Sequence, residues 1–370
     1  MINRDRIINL FAKLVSIDTQ SLHEKKMAEY ISKILKDIGY NVSVDDAAEK
    51  ILGDSGNLLV TVKGDPNIDA IVLVAHMDTV EPAIGKKAII GDEYITSDGS
   101  TVLGGDDLAG VAIILELLQV IYDDNIPHGD IYVLFTVAEE IGLLGSKNFD
   151  FTKINAKYGF VLDGGGDIGR VAVRAPSQIS FDINIKGKAA HAGIEPENGI
   201  SAIEVVSHAI SEMRLGRIDS ETTANIGIIS GGIATNIVCD KVNIKAEARS
   251  LDETKLINQI NHMREKIELY CKKYGATCMI EQKVEYPSYD VSGNKTLIDI
   301  LSNAAKATNI ELVLEDTGGG SDTNILNNNG IVSCIISVGM DNIHTVHERI
   351  KIQDIVCGAK FLLNIVRSVW

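Results

Sequence analysis

Histidines and carboxylates in this sequence gather at a few points. They are His76 and Asp78 in HMD, Asp106 and Asp107 in GGDD, Glu139 and Glu140 in TVAEE, Asp163 in LDGG, and His344 and His347 in HTVH. Imidazoles with several carboxylates form a hard-to-borderline donor set, suited to Zn2+, Co2+ or Mn2+ rather than to a thiolate site. So many acids in one place would repel one another strongly without a cation. One pair alone reads equally well as a helix cap or a solvated turn. The whole set, each member at the end of a predicted strand, reads as a metal centre. A divalent cation lowers the pKa of a water, and a carboxylate left outside the coordination can take its proton and return it to a leaving group. That is the chemistry of hydrolysis.

Local geometry sharpens some of these residues and leaves others open. The strand period puts His76 and Asp78 on one side, so Asp78 can accept a hydrogen bond from the imidazole N–H that faces away from a metal. GGDD leads into a helix, whose free N–H groups favour charged carboxylates. Asp107 reads either as part of the site or as that helix's N-cap. Glu139 and Glu140 point to opposite sides if the strand continues, and only a tight turn brings both to the site.

The elements that must position these residues follow from periodicity. Helices are predicted over 4–15, from Leu22 to Asp37, and over 108–122. Buried strands are predicted at 58–62, 71–75, 130–137 and 158–162, the last three ending in the polar segments just named. Strands without alternation, separated by helices, imply an α/β sheet covered on both faces, with ligands collecting beyond the strands' carboxyl ends. The pattern changes near Arg174. Strands at 177–186, 222–229, 240–249 and 277–285 alternate, with helices over 197–213 and 253–273. This β-α-β-β-α-β order predicts a ferredoxin-like unit. Beyond Pro287 the first pattern resumes, with helices over 294–307, 322–328 and 350–367 and strands near 310–314 and 331–337. The expected organisation is a catalytic domain in two parts, 1–174 and 290–370, interrupted by an inserted domain, 175–289.

Composition excludes several classes. A net charge of −16 argues against a nucleic-acid backbone binder, which needs clustered Lys and Arg. Five scattered cysteines argue against a disulfide scaffold or a thiolate zinc cluster. No apolar run reaches membrane-spanning length, about 18 residues, and the start reads as an amphipathic helix rather than a signal peptide. A cytoplasmic protein without membrane or nucleic-acid partners is expected. DGGGD and GGGSD lack the spacing of a phosphate loop.

The segments VLVAHMDTVEP, ITSDGSTVLGGDDLAG, FTVAEEIGLLGS, FVLDGGG, GKAAHAGIEPENGISAI, GGIATNIV, GGGSDTNIL and HTVHE occur in that order over essentially the whole chain. Together they resemble the M20 family of dinuclear zinc peptidases, closest to its peptidase T (tripeptide aminopeptidase) branch. The resemblance implies two divalent ions per subunit, Zn2+ first and Co2+ or Mn2+ as alternatives. It makes His76 and Asp163 ligands of one, Glu140 and His347 ligands of the other, and Asp106 the bridge. His347 is preferred to His344, which would support a ligand from behind or sit in a surface turn. Glu139 becomes the general base and then acid, and Asp78 orients His76. His191, in AAHAG, would stabilise the oxyanion across a homodimer. Asn236 and Arg249 match positions associated with substrate contacts, although Arg249 reads equally as half of a salt bridge. Two departures are Leu108, where family members with this loop often have Lys, and Gly105, where peptidase T often has Ala.

The implied activity is release of the N-terminal residue from short peptides, tripeptides above all. A carboxypeptidase, dipeptidase or N-acyl-amino-acid deacylase would use the same centre. A metal-free binding protein or scaffold is the rival from another class, and it would show erosion of the ligand positions, all of which are intact.

Overall fold

Ile71–His76, Ile131–Thr136, Tyr158–Gly165 and Val332–Asp341 form the parallel centre of a twelve-stranded sheet. Every residue of the first two strands is buried, which explains their unbroken apolar runs: both faces are covered. Each fully buried large side chain there, such as Leu73, contributes about 1.5–3 kcal/mol. Parallel pairing sets His76 opposite Thr136, so HMD and VAEE leave the sheet side by side. Tyr158–Gly165 flanks Ile71–His76 on its other side and carries Asp163. The computed structural model describes residues 1–369.

The helix Gly105–Asp124 is buried along most of its length and packs against the sheet and the helices Arg4–Val15 and Ile352–Ser368. Its backbone is non-helical at Asp106 and Asp107, so the regular helix begins only beyond them. The first helix is tied to it by the Arg6 fork, which donates to Glu116 Oε2 at 2.6 Å and Oε1 at 2.9 Å. Among the sequence expectations, the strand Arg170–Ala175 is missing. It pairs parallel with Val313–Asp316 and antiparallel with Val332–Asp341.

The chain divides into two units. One holds Met1–Arg174, Asp290–Asp316 and the chain from Ser321 onward; the other holds Ala175–Tyr289 and Thr317–Gly320. The smaller unit runs strand Ser177–Lys186, helix Ala202–Ser211, strands Thr222–Gly231 and Lys241–Ser250, helix Glu253–Tyr274 and strand Thr277–Tyr286. Its five-stranded sheet, which includes the short strand Gly216–Arg217, is antiparallel. Phe181, Ile183 and Ile185 alternate inward and pack with Val205, Val206, Met263 and Ile267 of the helices. The other face is wetted, and that is the source of the alternation in sequence. Among the described residues no helix is long and apolar enough to cross a membrane.

Candidate active site

His76 is buried at the tip of its strand, with Nε2 3.0 Å from Asp106 Oδ1 and 3.7 Å from Asp163 Oδ1. Its other ring nitrogen, Nδ1, lies 2.9 Å from the carbonyl of Asp78 and 3.5 Å from Asp78 Oδ1. The backbone carbonyl therefore fixes the ring more closely than the carboxylate expected from sequence. Asp78 serves chiefly elsewhere: it accepts from Ser21 Oγ at 2.6 Å, from the Glu139 N–H at 3.0 Å and from the Glu140 N–H at 3.2 Å.

Those last two bonds belong to the tight turn that the sequence leaves open. Ala138 adopts φ +50°, which breaks the strand alternation after Thr136. The carbonyls of Val137, Ala138 and Glu139 accept N–H groups from residues 142–145. Glu139 and Glu140 consequently both serve the cluster. Glu140 Oε1 lies 3.1 Å from His344 Nε2. Among the described residues no hydrogen bond to the Glu139 carboxylate is found.

Of the two histidines in HTVH, the structure brings His344 to the cluster: both are exposed, but His344 Nε2 lies 3.1 Å from Asp106 Oδ2 and 3.1 Å from Glu140 Oε1, and no such contact is found for His347 among the described residues. Gly339, Asn342 and His344 all have positive φ, and this looping backbone sets which imidazole faces the carboxylates. The neighbouring Glu348, buried, anchors this loop to the GGDD loop by accepting the Gly104 N–H at 2.7 Å and the Asp106 N–H at 3.0 Å. A Cβ at Gly105 would sit 3.0 Å from Glu348 Oε1, so the loop is fitted to glycine.

Asp107 is the N-cap that sequence offered as one alternative. Its Oδ1 accepts the Gly110 N–H at 3.1 Å, and its Oδ2 accepts the His76 N–H at 3.2 Å. Four further buried carboxylates have no prior expectation: Glu24, Glu116, Asp322 and Glu348. Asp322, in GGGSD, accepts from Thr136 Oγ1 at 2.6 Å. Glu24 lies at the start of the helix Lys25–Ile38, where a plain acidic helix start gives no sign of a buried role.

Burial and mutual repulsion dominate the electrostatics. Burial, then the Asp163 charge, pushes the Glu139 carboxyl well above the usual carboxylate range. Burial and Asp106 push Asp163 up to about 8, and burial raises Glu140. Asp106 moves the other way: burial opposes its ionisation, but hydrogen bonds from His344 and His76 hold it below the usual range. Hydrogen bonds to Asp106 and then Glu140 push His344 up to about 10. Burial works against a proton on His76, and Asp106, Asp163 and Asp78 outweigh it.

A divalent cation would neutralise these crowded carboxylates directly, and the donor set fits such an ion. Ligand atoms of His76, Asp106 and Glu140 lie within 4.8 Å of one another, as do those of His76, Asp107 and Asp163. Asp107 already accepts two backbone N–H groups, which makes Asp163 the freer carboxylate of the second group.

The remaining predicted residues lie in the smaller unit. His191 is exposed, and its Nδ1 accepts the Gly193 N–H at 3.1 Å. His191 bridges to Ile237, and the Asn236 carbonyl accepts the Ala192 N–H at 2.9 Å, so His191 and Asn236 occupy neighbouring segments. Arg249 shows the salt bridge: Nη2 donates to Glu247 Oε2 at 3.0 Å and Nε to Oε1 at 3.2 Å.

Residues 72–368 match the family Peptidase_M20, described as peptidase family M20/M25/M40. The uncharacterized protein YqjE of Bacillus subtilis is 41% identical over 368 residues, spanning 100% of this chain and 99% of its own. The crystal structure of aminopeptidase PepT from Bacillus cereus is 41% identical with a TM-score of 0.92, and that of a tripeptidase from Staphylococcus aureus is 39% identical with a TM-score of 0.96. Each comparison covers 100% of this chain and 99% of the other.

Proposed function

The chain belongs to peptidase family M20/M25/M40, closely related to its peptidase T branch, and from that premise we propose that it releases the N-terminal residue of short peptides, tripeptides above all. It is a metal-dependent exopeptidase of the tripeptide-aminopeptidase type. The observation that carries the mechanism is the turn at Ala138. It offers one carboxylate, Glu140, to the ligand cluster and leaves its neighbour Glu139 unbonded beside it.

His76, Asp106 and Asp163 would hold one divalent cation, and Glu140 and His344 a second, with Asp106 between them. Zn2+ suits this set best, with Co2+ or Mn2+ able to replace it. The cations supply Lewis acidity toward the scissile carbonyl and lower the pKa of a water. Glu139 takes the proton of the attacking water and passes it to the leaving amine, and its raised proton affinity suits a group that must do both near neutral pH. Asp78 fixes the backbone of Glu139 and Glu140. Arg249, committed to Glu247, is not carried forward as a substrate contact, while Asn236 beside His191 is. The free cysteines of the described residues support a reducing, cytoplasmic location.

Free tripeptides compared with N-blocked and C-amidated versions test the specificity. Loss of hydrolysis on N-blocking alone is expected. Retention there with loss on amidation would replace this reading with a carboxypeptidase or deacylase.

The smaller unit, with its β-α-β-β-α-β order, is read as a ferredoxin-like dimerisation lid. The strand Thr222–Gly231 supports this, because Gly216–Arg217 pairs only with Thr223 and Ala224 and leaves the rest of that edge open. Dimerisation would let His191 of the partner subunit donate to the oxyanion. His191→Ala should then cost about 10²–10³ in kcat without loss of dimer in sedimentation. A fully active monomer would end the cross-subunit role.

A further inference from the structure

Four consecutive backbone N–H groups of the catalytic turn are held by side-chain oxygens. Asn57 Oδ1 accepts from Val137 at 3.1 Å, Glu24 Oε1 from Ala138 at 2.9 Å, and the two oxygens of Asp78 from Glu139 and Glu140. Asp78 and Asn57 have evident further duties, since Asp78 adjoins His76 and Asn57 Nδ2 donates to Asp45 and to the Gly145 carbonyl. Glu24 has none. It occupies the N-cap position of its helix, yet its side chain caps nothing. Oε1 reaches back to the Leu22 N–H at 2.9 Å and across to Ala138, and Oε2 is buried without a hydrogen-bond partner. A carboxylate fully removed from water is an expensive way to hold two backbone N–H groups. One of the two belongs to the residue at φ +50° on which the direction of Glu139 depends.

The surrounding segment follows the same logic. Thr19 Oγ1 donates to the Met77 carbonyl at 2.7 Å, the Thr79 N–H donates to the Thr19 carbonyl at 2.9 Å, and Ser21 Oγ donates to Asp78. Residues 19–24 therefore run along both the HMDT segment and the VAEE turn, ending in Glu24.

We infer that Glu24 is a positioning residue of the catalytic turn, fixing Ala138 and through it the Glu139 carboxylate. Its effect on turnover rests on the proton-carrier reading of Glu139. A misplacement of about 1 Å at a reacting group costs on the order of 10²-fold in rate. Glu24→Ala should accordingly lower kcat at least tenfold in the metal-loaded enzyme, with KM changed less than threefold. Glu24→Asp, one methylene too short to reach Ala138, should behave like Ala although it keeps the charge. Glu24→Gln keeps the accepting oxygen at full length and should restore kcat. Substitution for charge alone would give the opposite order for Asp and Gln, and so would overturn the inference.

Hydrogen exchange of the 137–144 segment reads the clamp without turnover, on protein with or without metal. It should quicken at least tenfold in the Ala and Asp variants and not in Gln. Unchanged exchange in a folded Ala or Asp variant overturns the clamp. Faster exchange with full kcat instead overturns the role of Glu139 on which the catalytic consequence depends. Should Glu24→Ala fail to fold, the Asp and Gln pair still decides.

Discussion

Glu139→Ala is expected to lower kcat by about 10²–10⁴, with KM and the content of both metal ions unchanged. The expectation separates two neighbours that a sequence cannot rank. Glu140 shares a ligand group with His76 and Asp106 and lies 3.1 Å from His344 Nε2. Glu139 belongs to neither ligand group and accepts no hydrogen bond among the described residues. Asp78 and Asp322 are also outside both groups, but Asp78 is committed to Ser21 and two N–H groups, and Asp322 accepts from Thr136 while its other oxygen is sealed from solvent. Of these three, Glu139 is the carboxylate with both oxygens free of protein donors and able to take a proton from a water. Metal analysis beside steady-state kinetics on free tripeptides checks it. Loss of a metal equivalent would make Glu139 a ligand, and unchanged turnover would remove it from the reaction.

Much of this site is legible in the sequence because it depends on strand ends. Parallel pairing aligns the tips of Ile71–His76 and Ile131–Thr136, so motifs that follow apolar runs are delivered together whatever their separation along the chain. Asp106 is legible for a similar reason, since GGDD stands where a long apolar helix begins. The limits appear where loops rather than strands set direction. Ala138 carries the turn that brings both glutamates inward, and alanine at φ +50° leaves no trace in composition. Glu24 and Asn57 are buried polar residues supporting that turn from other segments, and an isolated Glu before a helix reads as an ordinary acidic start. Glu348 had a weak signal, as the last residue of HTVHE, but its role depends on two N–H groups more than 240 positions away. The strand Arg170–Ala175 was lost between DGGG and the following alternating segment because it is short and flanked by glycines and proline.

The HTVH histidines give the second large effect. His344→Ala should remove one metal equivalent and lower kcat/KM on the order of 10²-fold or more, since a divalent cation contributes several kcal/mol of charge stabilisation in such reactions. His347→Ala should stay within about twofold of the parent enzyme. The geometry is one-sided. His344 Nε2 faces one oxygen of Asp106 and one of Glu140, the two carboxylates that a second cation would join. Both imidazoles are exposed, but the contact found for His347 is its backbone N–H with Thr345 Oγ1 at 3.2 Å. Glu348 makes the difference robust: it ties the loop to the backbone of Gly104 and Asp106, so His344 cannot be displaced by three residues without breaking two buried hydrogen bonds. Metal binding by calorimetry separates the outcomes from a general loss of stability. His344→Ala should retain the site built on His76 and Asp163 and lose the other. If His347→Ala instead loses a metal equivalent while His344→Ala keeps two, the loop must rearrange on metal binding, and the ligand assignment reverts to His347, as the family resemblance implies.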